Sequence, residues 1–581
     1  MHKRRVAFHS LFLVIVLFSV FLFSIRHWAF AQPEDQVREA TPRVTFVDVT
    51  AESGIQFLHD NAASKEKYLV ETMGSGCAFL DYDQDGFLDV FFVNGGPTPA
   101  YQPVQPLRNA LYHSAGNGRF VDVTSESGVG TNPGFGMGAA VGDFDNDGFP
   151  DLYVTGFPSS TLYHNDKRGS FTDVTQKAGV ENSKGWGVSA AWLDYDNDGF
   201  LDLLVINYLD FDYARNKYCG EPDQRMYCHP RYYDAVYPVL YRNEHDGKFT
   251  NVTKQAGLQA TSCKGLGVVA ADFDNDGWVD LFISNDSVRN LLYRNRHDGT
   301  FEDVTLPSGT GYSEDGIPEA GMGVDAADFN GDGRLDIYVT HLDFELNRLY
   351  LNHGGMRFSD YTMSSGLART AVLNSGFGTR FLDFDNDGRQ DLVIVNGHVM
   401  DNVNLFRRDV FHAEKRILYR NDHGRFMNVS AAAGPAFTNA RVGRGLALGD
   451  YDNDGDLDLL VSNNGQHGEL IRNDGGNYNN WLAFRLIGVA SNRDGVGARI
   501  ELTAGEATEF DQVKGGMSYL SASDPRIYFG LGRMKQAEKV EIHWPSGKTD
   551  VLKDVPANQI LTIQEGNGII PSNYRQFRSE H

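Results

Sequence analysis

Polar and apolar residues alternate over short segments of this 581-residue chain, and one composite pattern occurs seven times between residues 74 and 477. Each copy has an apolar segment after a G-x-G pair, then the acidic motif D-x-[DN]-x-D-G-x-x-D, and a second apolar segment that begins where this motif ends. A third segment follows, which starts with Leu-Tyr in six copies, and all copies but the last add a fourth segment similar to F-x-D-V-T. Short alternating segments separated by glycine and aspartate are typical of β-strands. Each copy therefore predicts four short strands, which is the content of one propeller blade.

The order of these segments also predicts how the chain closes. The last copy lacks the F-x-D-V-T-like segment, whereas one unpaired example, residues 46–50, stands before the first copy. If that segment joins the last unit, seven complete four-stranded units form a ring that has no open sheet edge. The sequence thus predicts an all-β fold with a seven-bladed β-propeller over residues 44–477.

The paired glycines before each acidic motif are interpreted as backbone glycines of the first strand. No phosphate-binding helix follows them, so they do not predict a dinucleotide site. In the third unit the pair, Gly185 and Gly187, lies two residues farther from the acidic motif than in the other units. This spacing predicts a bulge in the third unit.

The C-terminal part of the chain predicts a second, smaller β domain. Residues 540–544 alternate between apolar and polar side chains, Pro545-Ser546-Gly547 predicts a turn, and a further strand is expected up to Val551. We expect one small antiparallel domain over residues 478–566, with Trp544 in its core, and a tail at residues 567–581.

The N-terminus has the features of an export signal. Basic residues at positions 3–5 precede the apolar segment Leu11 to Ile25, and Ala29-Phe30-Ala31 forms a cleavage pattern of small residues. We predict a cleaved signal peptide at residues 1–31, and an uncleaved membrane anchor is the alternative. Both place the remaining chain outside the cytoplasm, as a secreted, periplasmic or cell-surface protein.

Charge and cysteine content narrow the class of protein further. The 77 acidic residues outnumber the 52 basic ones, for a net charge of −25, which argues against nucleic-acid binding. Cys219 and Cys228 lie nine residues apart and predict a disulfide, which suits an exported protein. Cys77 lies in a predicted strand and is expected to be a buried free thiol, and Cys263 has no evident role.

The acidic motifs predict metal sites. Carboxylates at positions 1, 3, 5 and 9, with a turn-forming glycine at position 6, resemble the first half of an EF-hand loop and suit Ca²⁺. Loop by loop, the predicted ligands are Asp81, Asp83, Asp85 and Asp89; Asp143, Asp145, Asp147 and Asp151; Asp194, Asp196, Asp198 and Asp202; Asp272, Asp274, Asp276 and Asp280; Asp328, Asn330, Asp332 and Asp336; Asp383, Asp385, Asp387 and Asp391; Asp450, Asp452, Asp454 and Asp458.

Calcium is preferred over other metals on ligand chemistry. No thiolate or imidazole belongs to the repeated set, which makes zinc and copper a poor fit, and magnesium prefers fewer protein ligands and more water. Three or four carboxylates within nine residues repel one another unless a cation neutralises them. We expect up to seven structural calcium ions. Without an ion, the same motifs would be acidic turns with solvated charge.

With these motifs in view, the chain resembles the FG-GAP/VCBS-type propellers of the cartilage acidic protein family. Its tail resembles the ASPIC/UnbV domain through residues 492–498, 528–532 and 544–547. The resemblance covers residues 44 to about 566 and implies an extracytoplasmic calcium-binding propeller without a settled enzymatic reaction. Relatives in bacterial enediyne gene clusters keep a biosynthetic role open.

Three insertions into the repeat are the best candidates for binding elements: Gly95 to Leu107, Tyr208 to Pro238 and His398 to Arg416. The second is rich in Tyr and Arg, which are common interface anchors, although loop packing explains it equally well. The favoured function is a binding, adhesion or scaffold protein, expected as a monomer, with an unknown extracellular protein or polysaccharide as its partner. Membrane contact is expected only through an uncleaved N-terminal segment.

An enzyme or biosynthetic accessory protein is the alternative function. The histidines that lie in or near loops between strands would have to converge on one face for catalysis, and no spacing requires this. We predict no catalytic residue and no cofactor other than calcium. The histidines considered are His341, His398, His412 and His467.

Overall fold

The protein is described by a computed structural model, which covers residues 44–131, 134–369 and 372–574. The expected signal peptide, residues 1–31, and the end of the expected tail, residues 575–581, lie outside the described residues. Within the described part of the chain, no helix is long and apolar enough to span a membrane.

Seven four-stranded antiparallel sheets each contain one copy of the repeated pattern, and we number them 1 to 7. Their strands, in order across each sheet, are Cys77–Leu80, Asp89–Phe92, Ala110–Ser114 and Phe120–Asp122; Phe135–Gly142, Asp151–Phe157, Thr161–Asn165 and Phe171–Asp173; Gly187–Leu193, Asp202–Asn207, Val239–Asn243 and Phe249–Asn251; Gly265–Ala271, Asp280–Asn285, Leu291–Asn295 and Phe301–Asp303; Val324–Ala327, Asp336–Val339, Arg348–Asn352 and Phe358–Asp360; Gly376–Leu382, Asp391–Asn396, Ile417–Asp422 and Arg425–Asn428; Gly443–Gly449, Asp458–Asn463, Glu469–Asp474 and Thr45–Asp48.

The segment before the first unit forms the fourth strand of sheet 7. Thr45–Asp48 pairs antiparallel with Glu469–Asp474. A buried apolar cluster lies between each sheet and the next, and another joins sheet 7 to sheet 1, with Leu460 and Phe92 among its members. The all-β, propeller-like fold that the sequence predicts is confirmed.

The D-V-T part of the fourth segment has a local structural role. In sheet 1, Asp122 Oδ1 accepts a hydrogen bond from the backbone N–H of Thr124, and Thr124 Oγ1 accepts one from the N–H of Leu111. A short helix starts at Thr124 and ends at Gly128, whose φ of 82° favours glycine. The α-helices are Thr50–Ser53, Val70–Met73, Thr124–Ser127, Thr175–Ala178, Thr305–Ser308, Thr362–Ser365 and Pro435–Thr438, and the 3₁₀ helices are Tyr213–Arg215, Pro230–Tyr232, Leu367–Arg369, Val403–Leu405 and Gly476–Tyr478.

The bulge expected in the third unit is present, and other sheets share it. The register between the first two strands shifts after Gly187, and it also shifts after Gly136, Gly376 and Gly443. Gly187 therefore corresponds to the first glycine of the other pairs, and Ser189 occupies the place of the second. Ser189 Oγ donates a hydrogen bond of 2.5 Å to the carbonyl of Leu266 in the next sheet.

The C-terminal region contains two more four-stranded sheets, and it differs from the expected purely antiparallel domain. Asn480–Ile487 and Gln559–Gln564 pair in parallel, and Gly568–Ile570 extends the same sheet past residue 566. Trp544 is buried in this domain, as expected. The two sheets are formed by Ile527–Gly532, Asn480–Ile487, Gln559–Gln564 and Gly568–Ile570, and by Ala507–Gln512, Arg499–Ala504, Gln536–His543 and Thr549–Pro556.

Residues 513–523 of the C-terminal domain contact the first strands of several sheets. Bridges join Gly515 to Ala270 and Ala522 to Ala78, and Leu520 accepts a hydrogen bond from the N–H of Ala139. A Cβ atom on Gly76 would lie 2.0 Å from the Leu520 carbonyl oxygen, so this approach requires glycine.

The cysteine predictions are confirmed. Cys219 and Cys228 form a disulfide with a Cα–Cα distance of 5.3 Å. It joins the first strand of a small hairpin in the second insertion, Cys219–Glu221, to Cys228, two residues after the second strand, Gln224–Met226. Cys77 and Cys263 are free and buried. A second two-stranded sheet, Glu414–Lys415 with Ala440–Arg441, closes the third insertion.

Candidate metal sites in the acidic loops

Each acidic loop connects the first and second strands of its sheet, and its backbone is held by its own carboxylates. In the second loop, Asp143 Oδ1 and Oδ2 accept hydrogen bonds from the N–H groups of Asp147 and Gly148, at 3.0 and 2.7 Å. Asp151 accepts from the N–H groups of Asn165 and Phe144, at 2.8 and 3.2 Å. The carboxylates at positions 1 and 9 therefore fold the loop as well as lining it.

Carboxylates at positions 1, 3 and 9 converge. In each of the first three loops, one oxygen from each of the three aspartates lies within 4.8 Å of the others. The sequence prediction is that these residues coordinate an ion, and the structure brings them together. The three clusters are Asp81, Asp83 and Asp89; Asp143, Asp145 and Asp151; and Asp194, Asp196 and Asp202.

Several loop carboxylates have buried oxygens that no described group hydrogen-bonds. A buried polar atom without a partner carries a desolvation cost of about 1–3 kcal/mol, and more for a charged group. A bound cation would remove this cost. These oxygens are Asp81 Oδ1, Asp196 Oδ1, Asp274 Oδ1, Asp336 Oδ2, Asp385 Oδ1, Asp387 Oδ1, Asp452 Oδ1 and Asp456 Oδ1.

The pKa values of carboxyl groups in these loops also show that their negative charge is unfavourable without a cation. Burial, together with repulsion from Asp89 and Asp85, raises the pKa of Asp81 to about 7. Burial also raises the pKa of Asp194 to about 7, and the nearby Asp198 adds to the shift. A divalent cation between such groups would favour their ionised forms. The oxygen-rich donor set therefore fits calcium.

Among the described residues, imidazoles approach at least four of the acidic loops, although none belongs to the repeated motif. His113 forms a cluster with Asp83 and Asp85, and its Nδ1 atom lies 3.1 Å from Asp89 Oδ1. His164 Nε2 lies 2.9 Å from Asp145 Oδ2 in the second loop. Both histidines occupy the third strand of their sheets, outside the repeated motif. His245 Nε2 lies 2.7 Å from Asp198 Oδ2 in the third loop, and His297 Nε2 lies 2.9 Å from Asp276 Oδ2 in the fourth. In these four loops, ligand chemistry alone therefore does not exclude zinc.

Sequence reasoning missed the residue at position 4 of the loops. The residue at position 4 has a positive φ in every loop. Where this residue is asparagine, its side chain donates a hydrogen bond to the carbonyl of the position-6 glycine in the following loop. For example, Asn453 Nδ2 donates to the Gly86 carbonyl at 2.8 Å, which joins the seventh loop to the first. The other pairs are Asn146 to Gly199, Asn197 to Gly277, Asn275 to Gly333 and Asn386 to Gly455. The recurring D-N-D-G sequence is the pattern from which these asparagines could have been identified.

The fifth loop departs from this pattern. Gly331 occupies position 4, so no side chain is available to contact the sixth loop. Neutral Asn330 donates to Asp332 Oδ2 at 3.1 Å, and Arg334 also pairs with Asp332. This loop therefore has less negative charge available for a cation than the others.

The C-terminal domain covers the acidic loops. Asp494 Oδ2 accepts a hydrogen bond from the Asp143 N–H at 2.7 Å, and the buried Arg526 donates to Asn453 Oδ1 and to the Asp450 carbonyl. At the tail, a Cβ atom on Gly86 would lie 2.4 Å from the Asn573 carbonyl. The C-terminal domain therefore packs against one side of these loops, while residues such as Asp85, Asp276 and Asn330 stay exposed.

The considered histidines do not form one site. His398 lies 3.1 Å from Asp343 through Nε2, and its Nδ1 atom accepts a hydrogen bond from the Met400 N–H, so both nitrogens are engaged. His341 is buried, with Nε2 3.9 Å from Glu319. His467 lies against the carbonyl of Phe57. The half-buried His412 contacts His398 only through the backbone, where the His398 N–H donates to the His412 carbonyl.

Comparison with protein families agrees with the motifs. A model of the FG-GAP-like repeat matches residues 81–154, 143–205, 232–283 and 272–339, and the ASPIC and UnbV model matches residues 488–570. The resemblance inferred from the sequence motifs is confirmed.

Three curated proteins illustrate the similarity. Cartilage acidic protein 1 from Mus musculus is 27% identical over 523 residues, which cover 84% of this chain and 73% of the relative. The Homo sapiens protein of the same name is 28% identical over 463 residues, 74% of this chain and 63% of the relative. Integrin alpha-3 from Cricetulus griseus is 25% identical over 301 residues, 44% of this chain and 28% of the integrin.

Similar solved structures are more distant. The lectin BP39L from Burkholderia pseudomallei aligns with a TM-score of 0.40 and 11% identity, and the alignment covers 69% of this chain and 96% of the lectin. YCF48 bound to D1 peptide aligns with a TM-score of 0.38 and 8% identity, over 72% of this chain and 93% of that one.

Proposed function

Because this chain carries FG-GAP-like repeats together with an ASPIC and UnbV domain, we propose that it is an exported calcium-binding β-propeller that acts as an extracytoplasmic binding, adhesion or scaffold protein. The observation that carries the calcium assignment is the convergence of the carboxylates at positions 1, 3 and 9, with buried oxygens that have no hydrogen-bond partner among the described residues. The 28 loop positions predicted from the sequence are the proposed ligands.

The proposed calcium ions would stabilise the fold. Calcium would supply positive charge at the turns between first and second strands, where the chain itself supplies almost only carboxylates. These turns contact one another through their position-4 asparagines, and the C-terminal domain covers them. Neutralised loops would therefore stabilise both the sheet-to-sheet contacts and the contact with the C-terminal domain.

The binding surface is proposed at the opposite end of the sheets. The three insertions all connect second and third strands, which places them at the end away from the acidic loops. Tyr218 and Tyr232 of the second insertion are 54% and 45% exposed, as expected for binding residues. Arg225 is less available, since its side chain pairs with Glu66 at 2.6 Å and stacks on Tyr218. The proposed partner is an extracellular protein or polysaccharide.

Two independent observations support the proposal that the protein is exported. The N-terminal sequence has the form of a signal peptide, and the disulfide between Cys219 and Cys228 suits an oxidising compartment. N-terminal sequencing of secreted protein would start at Gln32 if the signal is cleaved at the expected site. A full-length N-terminus in the membrane fraction would support an anchor.

The calcium assignment predicts a large effect of chelation. With a Kd of about 10⁻⁴ M, about 2 mM calcium stabilises the folded state by about 2 kcal/mol per site. Seven sites in a chain of this size would then raise the melting temperature by roughly ten degrees. We expect calorimetry to show calcium binding and chelator to lower the melting temperature by this amount, while magnesium restores little of it. Identical melting with and without chelator would leave the loops as acidic turns.

The binding role is tested separately with calcium-loaded protein. Immobilised protein is exposed to cell-surface material from the source organism, and Tyr232→Ala, at an exposed position of the second insertion, is expected to reduce capture without changing the melting temperature. Turnover of a glycan, ester or peptide library by the purified protein would favour the enzyme alternative. Because both nitrogens of His398 are engaged, loss of such turnover in His398→Ala would also have to be separated from misfolding.

A further inference from the structure

A cavity of about 690 Å³ lies at the end of the sheets that carries the insertions. The second and third insertions form two of its walls, and loops of sheets 4 and 5 form a third. Met73, Leu266 and Met322 contribute apolar surface at its base. A cavity of this size and lining is typical of small-molecule sites.

The walls of the cavity are connected to one another. The disulfide holds the hairpin of the second insertion, and Asn402 Nδ2 of the third insertion donates to the Arg225 carbonyl in that hairpin at 3.1 Å. Lys67 Nζ lies 2.6 Å from Asp401 Oδ2 and connects the third insertion to the segment before sheet 1. The cavity is therefore preformed, which lowers the entropic cost of binding.

Most charges in the cavity are already compensated. Asp343 pairs with both His398 and Arg407. Lys217 Nζ donates to the Tyr232 carbonyl and lies over the ring of Tyr233. The Asp343 pairs therefore bring little net charge to a ligand, whereas Lys217 keeps its positive charge.

Two carboxylates form no ion pair among the described residues. Asp286 is buried and accepts hydrogen bonds from Tyr208 Oη at 2.5 Å and Ser287 Oγ at 2.7 Å. Glu345 Oε2 accepts one from the Ala320 N–H at 2.7 Å. The two carboxylates line the same cavity and repel each other. Lys264 and His229 offset part of the charge of Asp286, and Arg348 offsets part of that of Glu345.

Aromatic side chains lie in the same cavity as these carboxylates. Tyr208, Tyr227 and Phe406 line it with the apolar residues of its base. Aromatic faces attract organic cations, and a carboxylate adds a charged hydrogen-bond acceptor for an ammonium group. We propose that this cavity binds a small organic cation that has an apolar or aromatic body and an amine that faces Asp286 and Glu345.

The protonation behaviour of the carboxyl groups agrees with this assignment. Burial is the main cause that raises the pKa of Asp286, and burial with repulsion from Glu319 and Asp286 raises the pKa of Glu345 to about 7. A bound ammonium group would lower both pKa values because it favours the ionised carboxylates.

The test compares three indoles that share an ethyl side chain and carry a cationic, a neutral or an anionic end group. The full chain, in calcium, is titrated with tryptamine, neutral 3-ethylindole and anionic indole-3-propionate by calorimetry. We expect tryptamine to bind about tenfold or more tightly than the other two. Equal binding of the three, or no tryptamine binding at millimolar concentration, would overturn the proposal.

Substitutions locate the site. Glu345→Gln keeps an oxygen for the Ala320 N–H and removes the charge, and it is expected to weaken tryptamine binding about tenfold without changing 3-ethylindole binding. Glu126→Gln, at an exposed position near sheet 2, is the matched control and should change neither. An unchanged tryptamine affinity in Glu345→Gln would contradict the assignment. This inference deepens the proposed binding role, and calcium titration of the same samples reports separately on the metal sites.

Discussion

At the scale of single residues, the aspartates of one acidic loop have different roles. In the third loop, Asp202 is fully buried and accepts hydrogen bonds from the N–H groups of Asn243 and Tyr195. Asp198 is partly exposed, accepts one from the Phe200 N–H and lies 2.7 Å from His245. Position 9 thus contributes to folding even without an ion, whereas position 5 contributes mainly charge.

This difference predicts distinct costs of substitution. Asp202→Ala leaves two buried N–H groups without an acceptor, at about 1–3 kcal/mol each, so the free energy of unfolding should fall by about 2–6 kcal/mol even with chelator present. Asp198→Ala should cost less than about 1 kcal/mol under the same conditions and remove one calcium ion. Urea denaturation with and without calcium measures both. Equal losses in chelator would contradict the separate roles.

At the scale of secondary-structure elements, each sheet is joined to the next by apolar side chains and by hydrogen bonds between turns. Asn386, at position 4 of the sixth loop, has a φ of 52° and donates to the carbonyls of Gly455 and Gly476. Gln84 has the same type of backbone conformation in the first loop, and the described hydrogen bonds include none from its side chain to the second loop. Substitutions at Asn386 and Gln84 can therefore distinguish the effect of backbone conformation on stability from the effect of the contact between loops.

We expect Asn386→Gly to lower the free energy of unfolding by about 1–2 kcal/mol, because glycine tolerates the positive φ but leaves two carbonyls without their donor. Asn386→Ala should lose about 1 kcal/mol more, because alanine disfavours this conformation. Gln84→Gly serves as the control and should change stability little. A loss in Gln84→Gly as large as in Asn386→Gly would show that contact between loops is unimportant.

At the scale of the whole molecule, stability depends on joining the beginning of the described chain to the end of the repeat. Phe46 is fully buried between sheets 6 and 7, where its ring contacts Phe384 and Phe437. Thr45–Asp48 also covers the edge of Glu469–Asp474. The N-terminal strand therefore contributes both apolar burial and edge protection.

Two truncations test this contribution. A chain that begins at residue 51 should expose the edge of sheet 7, melt at a lower temperature and aggregate, whereas a chain that begins at residue 44 should behave as the full chain does. Phe46→Ala should lower the free energy of unfolding by about 3–5 kcal/mol without removing the strand. Size-exclusion chromatography and thermal melting provide the readout. A monomeric chain from residue 51 with unchanged melting would contradict the role of this strand.

The sequence by itself determined the β content, the repeated units and the acidic loops. These features depend on short periodicities and on residues within one loop, which the order of amino acids shows directly. The pairing of Cys219 with Cys228 and the burial of Trp544 were also predictable, since each depends on a local segment. The position-4 asparagines were visible in the sequence, but their acceptors belong to the next loop, 53 residues away for Asn146 and Gly199.

Only the tertiary structure decided what the separate regions contact. Tyr519 of the C-terminal domain donates to the carbonyl of Met73, which is 446 residues earlier in the chain. The cavity likewise combines Asp286 and Glu345 with two insertions from other sheets. Such contacts depend on the path of the whole chain through seven sheets, and no local pattern of residues encodes which loop ends face each other. The acidic loops were therefore identified from the sequence, whereas their covering by the C-terminal domain and the cavity at the opposite end were found only in the fold.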